Sequence, residues 1–305
     1  MRNKFADTLY ELSKDDDRIC ALVADISPAG SMVKFREEFP ERFVNTGVAE
    51  QSMIGIAAGM ALQGLRPFCY TIATFSLFRP YEMVRVDLGY QNLPVTIIGM
   101  GAGVVYSTLG GTHHSMEDIS IASSIPNMTV LAPCDPEEMK KAVLWCVKES
   151  KGPVYMRMGK AGEPNLTEKA LDPFIVGKIR YIKRGKDVAI LSYGLSMDMC
   201  IKAAKKIEEK GQTVSIISVH TIKPIDIIGI KEVLDNHKEV LVVEEHVPHG
   251  GLGSRVKEIA WDNKVKCELK TLSLKDQFIH FYGTHGELLA KHGLSVEAIV
   301  NLSST

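Results

Sequence analysis

Residues 42–85 read RFVNTGVAEQSMIGIAAGMALQGLRPFCYTIATFSLFRPYEMVR. In this stretch a short apolar run at Phe43–Asn45 predicts a strand, and the apolar periodicity of Ala49–Leu62 predicts a helix. A second strand is predicted at Pro67–Thr71, and a helix over Phe75–Gly89 follows it. Apolar strands that alternate with helices are typical of a parallel sheet covered by helices on both faces.

The same alternation continues on both sides of this stretch. Further strands are predicted at Ile19–Val23, Val95–Gly99, Thr129–Ala132 and Val154–Met156, with helices at Gly30–Glu38, Met116–Ser123 and Pro136–Lys148. The polar, proline-containing segment AGEPNLTEKALDP interrupts the pattern. Beyond it, strands are predicted at Val188–Ser192, Thr213–Ile217, Val240–Glu244 and Lys266–Thr271, with helices at Ser196–Glu209, Ile227–Asn236, Gly253–Trp261 and Gly286–Leu302.

We therefore predict an α/β fold of two doubly wound domains. The first spans residues 1–165, a linker spans 166–184, and the second domain spans 185–305. A chain of 305 residues is long enough for each domain to bury its own core.

Composition argues against several classes of partner. The net charge is -1, with no basic excess for binding nucleic acid or an anionic membrane surface. No apolar run reaches the roughly 18 residues that a membrane span needs, and the start lacks the apolar core of a secretory signal. The cysteines are scattered without a CxxC pair, as in reduced proteins. We therefore expect a cytoplasmic protein.

Ligands of open α/β sheets bind outside the carboxyl ends of the strands. Three unusual sequences follow predicted strands here: VNTGVAEQ (44–51), TIATFSLF (71–78) and GMGAGVVYSTLGGTHHS (99–115). The residues that stand out in and just after them are Glu50, Phe75, Phe78, Tyr81 and His113.

Each of these residues allows a plain interpretation beside a functional one. Glu50 is either an exposed first-turn glutamate or a buried one that shares a proton with a heterocyclic nitrogen. Phe75, Phe78 and Tyr81 form either a packing face or an aromatic wall for a flat ring. His113 is either a surface histidine or a hydrogen-bond donor and proton relay.

Taken together, these sequences resemble the thiamine-diphosphate enzymes of the transketolase superfamily. The marks are G-V-A-E-Q at 47–51, T-F-x-x-F-x-x-Y at 74–81 and G-T-H at 111–113. IPNMTVLAPCDPEEMKKAV and GPVYMRMGKAG continue the similarity, and VAILSYGLSMDMC and VVEEHVPHGGLGSRV resemble the family's carboxyl-terminal domain. The resemblance implies a pyrimidine-binding domain followed by a transketolase C-terminal-like domain.

The resemblance also implies roles for individual residues. Glu50 matches the glutamate that contacts N1′ of the aminopyrimidine and promotes deprotonation of the thiazolium ring. Phe75, Phe78 and Tyr81 match the aromatic pocket around the pyrimidine, and His113 matches a histidine that contacts donor-substrate oxygens. Asp25, in VADISP, matches an aspartate near the cofactor. The implied reaction moves a two-carbon ketol unit from a ketose, or ketose phosphate, to an aldose.

The resemblance is to half of an enzyme. Family members bind the diphosphate and Mg²⁺ through a G-D-G motif, and no GDG occurs in this chain. Thiamine diphosphate would then be shared with a separate diphosphate-binding chain that holds Mg²⁺ or Ca²⁺, in an α2β2 assembly. We therefore expect this chain to be active only with that partner, and to hold no metal itself.

Two positions depart from the family pattern. Leu109 in STLGGTH stands where family members carry an aspartate that recognises a donor hydroxyl. Ala29 in PAGS stands where a serine often helps to bind the substrate phosphate. These changes leave the donor and acceptor sugars open and allow a non-standard sugar. A 2-oxo acid dehydrogenase beta subunit, a deoxyxylulose-phosphate synthase-like enzyme and a non-catalytic scaffold remain alternatives.

Overall fold

The computed structural model of the chain describes residues 1–26 and 31–303. Within these ranges the strands are β1 (Ile19–Val23), β2 (Phe43–Asn45), β3 (Arg66–Ile72), β4 (Thr96–Met100), β5 (Thr129–Leu131), β6 (Val154–Met158), β7 (Arg180–Lys183), β8 (Val188–Ser192), β9 (Val214–Ser218), β10 (Thr221–Lys223), β11 (Glu239–Val243) and β12 (Glu268–Leu272).

The helices connect these strands. They are α1 (Arg2–Ser13), α2 (Val33–Glu38), α3 (Glu50–Leu62), α4 (Ala73–Leu77), α5 (Tyr81–Met83) with a π-helical continuation at Val84–Tyr90, α6 (Asp118–Ser124), α7 (Pro136–Lys148), α8 (Ser196–Glu208), α9 (Ile227–Asn236), α10 (Leu252–Asp262), α11 (His285–Lys291) and α12 (Val296–Leu302). A 3₁₀ turn covers Pro40–Arg42.

The first sheet has seven strands in the order β10-β5-β6-β4-β3-β1-β2. All neighbours in it are parallel except β10, which runs antiparallel to β5. Central strands such as β1 and β4 are buried along their whole length. Helices cover both faces: Phe5 of α1 stacks on Tyr70 of β3 at 5.7 Å between ring centroids, and Met53 of α3 packs in the core on the other face.

The second sheet has five strands in the order β12-β11-β8-β9-β7. Only β7, at one edge, is antiparallel to its neighbour among these described strands. The predicted α/β class with parallel sheets is confirmed. Strands β7 and β10 are not predicted by the sequence pattern, and β7 lies inside the stretch predicted as a linker.

Buried ion pairs join the first sheet to later parts of the chain. Asp118 of α6 pairs with Arg157 of β6, whose Nη2 also donates to the carbonyl of Glu245 at 2.9 Å. Glu138 of α7 pairs with Arg180 of β7 at 3.2 Å, and both side chains are buried. Because buried charges are costly to leave unpaired, these contacts fix the two sheets relative to each other.

The helix predicted over Phe75–Gly89 is broken in the structure. Residues 78–80 form a turn between α4 and α5. Pro80 explains the break, because proline has no N–H to donate and disfavours helical backbone at the residue before it. The three aromatic residues therefore do not continue along one face of a single helix, and Arg79 lies within the turn.

Candidate active site

Four neighbouring strands of the first sheet, β4-β3-β1-β2, bring the candidate residues to one edge. Because these strands are parallel, their carboxyl ends lie together. The segment after β1 carries Asp25, and the loop after β2 leads to Glu50. Helix α4 after β3 carries Phe75. Residues 101–115 after β4, the Gly-rich loop, carry His113.

Glu50 is the first residue of α3, and its side chain is only 5% exposed. Its carboxylate accepts hydrogen bonds from Nη1 of Arg79 at 2.9 and 3.1 Å, one to each oxygen. The helix N-terminus favours the negative charge. Glu50 is therefore buried and not exposed, and its sharing of a proton with a heterocyclic nitrogen stays a prediction.

Phe75 lies between a cation and a histidine. The guanidinium carbon of Arg79 lies 4.1 Å from the centre of the Phe75 ring. The His113 ring approaches Phe75 edge-on, with 5.2 Å between centroids. Glu50, Arg79, Phe75 and His113 thus form a continuous cluster that joins α3, α4 and the Gly-rich loop.

The Gly-rich loop is held to α4 at the residue before His113. Thr74 at the start of α4 donates to the carbonyl of Thr112 at 3.2 Å, and a 2.9 Å hydrogen bond joins the Thr112 hydroxyl to Nδ1 of His113. The Tyr106 ring lies 5.8 Å from His113 between centroids. Burial and, secondarily, the Arg79 charge lower the pKa of His113 below its ordinary value. The ring is therefore neutral at pH 7 and able to donate or accept a hydrogen bond.

Phe78 and Tyr81 are half-buried and pack against the hydrophobic core on the α3 side of the sheet. The Tyr81 hydroxyl makes a 2.8 Å hydrogen bond with Ser124 Oγ, which provides the partner that a partly buried tyrosine needs. These contacts show packing for both residues. Their contact with a pyrimidine ring stays a prediction.

Asp25 lies at the carboxyl end of β1 with an exposed side chain and a backbone φ of 49°. Its N–H donates to Oδ1 of Asn45 at 3.0 Å, and the same oxygen accepts from Gly47 N–H. Asn45 therefore ties Asp25 to the loop that leads into Glu50. Leu109 is 50% exposed in the Gly-rich loop. Ala29 lies outside the described residues.

Sequence reasoning missed Arg79. The available signal was its spacing, since Arg79 follows Phe75 by four residues in a segment expected to be helical. A second residue not singled out is Lys160, whose Nζ lies 5.0 Å from the centre of the Tyr106 ring and adds a cation close to the Gly-rich loop.

Comparison with known families accounts for this arrangement. Residues 1–163 match the transketolase pyrimidine-binding domain, and residues 177–299 match the transketolase C-terminal domain. The chain belongs to the transketolase family. It is a carboxyl-terminal transketolase-like subunit, because its relatives of similar length are subunits of split transketolases.

Two curated transketolase relatives cover almost the whole chain. One is a subunit of the apulose-4-phosphate transketolase of Phocaeicola vulgatus, 34% identical over 98% of this chain and 94% of its own length. Another is a subunit of the 6-deoxy-6-sulfo-D-fructose transketolase of a Clostridium species, 33% identical over 98% of this chain and 92% of its own length.

A solved transketolase structure has the same fold. It is a split-gene transketolase in an inactive beta4 tetramer, with a TM-score of 0.87 and 32% identity. The match covers 99% of this chain and 95% of that one.

The residues present fit the aminopyrimidine half of thiamine diphosphate, which transketolases use. The Arg79 guanidinium is itself a flat group with N–H donors, and it stacks on Phe75 while it donates to Glu50. The site therefore accepts a planar, N–H-bearing group in this position. Among the described residues, no group of three or more His, Cys, Asp or Glu side chains is placed to bind a metal ion.

No helix within residues 1–26 and 31–303 is both long enough and apolar enough to cross a membrane.

Proposed function

We propose that this chain supplies the aminopyrimidine half of a thiamine-diphosphate site, and that it transfers a two-carbon ketol unit from a ketose or ketose phosphate to an aldose. The observation that carries the proposal is the cluster of a buried carboxylate, an aromatic ring and a neutral histidine at the carboxyl edge of the first sheet. When bound, the cofactor would supply a nucleophilic carbon and a thiazolium ring that acts as an electron sink.

Each residue has a distinct task in this proposal. Glu50, which is buried at the start of α3, holds a proton against N1′ of the aminopyrimidine. Phe75, Phe78 and Tyr81 fix the plane of the ring. Neutral His113 hydrogen-bonds the oxygens of the donor sugar, and Asp25 lies near the cofactor at the end of β1.

A partner chain would complete the site. After Gln51 and Ser52 in its first turn, helix α3 is apolar on its outer face as well as its inner one, and Ile56 is 42% exposed there. No described atom lies within 4 Å of a Cβ built at Gly55 or Gly59 on this face. A helix that is apolar all round is normally buried. We propose that this face packs against a diphosphate-binding subunit that holds Mg²⁺ or Ca²⁺, in an α2β2 assembly.

The sugar specificity is proposed to be non-standard. Leu109 replaces a hydroxyl-recognising aspartate with an apolar side chain, which would leave a donor hydroxyl unpaired and favour a sugar that lacks it. Relatives named for apulose 4-phosphate and for a 6-deoxy-6-sulfo sugar support unusual sugars as substrates. Lys160, beside Tyr106, suits an anionic sugar.

Calorimetry tests the proposal. Thiamine diphosphate with Mg²⁺ is titrated into this chain alone and into its mixture with a diphosphate-binding transketolase subunit, followed by a screen of ketoses, ketose phosphates and 2-oxo acids. Binding only in the mixture, with turnover of a ketose, is expected. Tight binding to this chain alone contradicts the split site, and turnover only with a 2-oxo acid contradicts the ketol transfer. No binding in either case favours a scaffold.

We also propose a cytoplasmic location and the division into domains at residues 1–165 and 185–305. All six cysteines are free thiols, which supports a reducing compartment.

A further inference from the structure

Arg79 contacts Glu50 and Phe75 at the same time. Its Nη1 donates to both Glu50 oxygens, and its guanidinium lies over the Phe75 ring. The Glu50 side chain is 5% exposed, whereas the Arg79 side chain is 49% exposed. A flat cation thus reaches in from solvent to neutralise a buried carboxylate.

Glu50 and Phe75 are also two of the groups that the proposed function assigns to the aminopyrimidine. That ring is flat, presents N–H groups at its edge, and needs both the carboxylate and the aromatic surface. Because one nitrogen of Arg79 already bonds both Glu50 oxygens, the guanidinium and the pyrimidine edge compete for the same acceptors.

We propose that Arg79 is an internal competitor of the cofactor, and that it must release Glu50 before the aminopyrimidine binds. The inference rests on the proposed function. The release needs no movement of a helix, because Arg79 lies in the 78–80 turn with half of its side chain in solvent. While paired, Arg79 protects the chain from the cost of an unpaired buried charge. The same pairing weakens cofactor binding by the fraction of molecules in which Glu50 is engaged.

A double-mutant cycle tests the pair in the full-length chain by itself. Urea unfolding is measured for the unchanged chain, Glu50→Gln, Arg79→Met and the double variant, and Arg85→Met is the matched control because Arg85 is an exposed arginine in the following helix. The destabilisation in the double variant is expected to be smaller than the sum of the two single effects. Additive effects would overturn the pairing.

Calorimetry then tests the competition in the complex with the diphosphate-binding subunit. Arg79→Met is expected to bind thiamine diphosphate about 3- to 10-fold more tightly than the unchanged complex. Arg85→Met should leave the affinity unchanged. Arg79→Lys, which keeps the charge without the flat face, should fall between the two extremes, and it substitutes for Arg79→Met if that variant does not fold.

The outcomes separate the two proposals. Unchanged or weaker binding by Arg79→Met overturns the competition, since weaker binding would make Arg79 a cofactor ligand. Failure of every complex to bind the cofactor overturns the proposed function instead, and the double-mutant cycle still reports whether the Glu50–Arg79 pair forms.

Discussion

Asp118, the first residue of α6, forms an ion pair with Arg157 of β6. The distance between Oδ2 and Nε is 2.9 Å, and both side chains are buried. The Tyr155 hydroxyl donates to the same carboxylate at 2.7 Å, and Arg157 extends the network to the carbonyl of Glu245. This ion pair holds the end of the Gly-rich loop against the second half of the chain, because Ser115 also contributes its carbonyl to Arg157.

Asp118→Asn is expected to cost about 3–5 kcal/mol of unfolding free energy, because it leaves the Arg157 charge buried and unpaired. Urea unfolding of the chain measures the change. Asp235→Asn is the matched control, since its pair with Lys231 is exposed on both sides, and it should cost less than about 1 kcal/mol. Equal effects of the two substitutions would show that the buried pair contributes no more to the free energy of unfolding than the exposed pair.

Glu50→Gln is expected to lower turnover of the reconstituted enzyme by about 10²- to 10⁴-fold, because an amide cannot share a proton with the aminopyrimidine. Steady-state kinetics with a ketose donor measure kcat. Glu82→Gln, at an exposed position in α5, is the control and should leave kcat unchanged. Full activity of Glu50→Gln would remove Glu50 from the mechanism.

His113→Gln is expected to reduce kcat/KM for the donor sugar by about 10²-fold. Since the pKa of His113 is lowered by burial and by Arg79, its neutral form persists below the ordinary value of 6.5. The contribution of His113 should therefore be constant at neutral pH and be lost as the pH falls through that lowered pKa. The pH profile of kcat/KM measures this. The control is the 77% exposed His249, whose change to Gln should leave the profile intact.

The pair between buried Glu245 and partly buried His285 predicts a pH window of stability. Burial lowers the pKa of His285, but Glu245 outweighs it and the net pKa is raised; burial raises the pKa of Glu245, but His285 and Arg157 outweigh it and the net pKa is lowered. The His285 contribution is therefore complete below its unfolded pKa and is lost as the pH rises through the raised value. The Glu245 contribution is present above its unfolded pKa and is lost as the pH falls through the lowered value.

Urea unfolding between about pH 5 and pH 9 measures the upper edge of this window, which His285 sets. The stability difference between the unchanged chain and His285→Gln is expected to shrink as the pH rises past the ordinary histidine value of 6.5. The comparison with His285→Gln is needed because four other histidines have lowered pKa values and oppose that decline in both chains alike. His249→Gln is the exposed control. A difference that stays constant over this range would show that His285 does not carry the pH dependence.

Gly103→Ala is expected to disturb the Glu245–His285 pair. Gly103 has a φ of 72°, and a Cβ there would clash with Oε1 of Glu245, the atom that accepts from His285. Gly211→Ala is the matched control: its φ is 93°, but no described atom lies within 4 Å of the added Cβ. Both substitutions carry backbone strain. Gly103→Ala should cost about 1–3 kcal/mol more in urea unfolding, because it also displaces a buried charge. Equal costs would leave the clash without effect.

The sequence pattern predicted the buried parallel strands well, since burial on both faces makes them continuously apolar. Ile19–Val23 and Val188–Ser192 begin and end in the structure at the predicted residues, and so does the less buried edge strand Phe43–Asn45. The edge strands β7 and β10 were missed because each is short, includes polar residues and is antiparallel to its single neighbour. Their pairing depends on distant parts of the chain, which a local pattern does not contain.

The candidate site likewise contains residues that the sequence pattern predicts and one that it does not. Glu50, Phe75 and His113 follow successive strands, so their proximity could be predicted from the rule for parallel sheets. Arg79 could not be placed in the same way, because its position depends on the turn at Pro80 and on the buried carboxylate of Glu50. An arginine that pairs with a buried carboxylate can be identified only when the burial of that carboxylate is known.

Strand β10 makes the first half of the chain depend on the second. It belongs to the chain after residue 185, yet it forms the outer strand of the first sheet beside β5. A first half produced without the second would lack this strand and would expose the backbone edge of β5. Fragments that separate the halves between residues 165 and 185 are therefore expected to be less soluble than the whole chain.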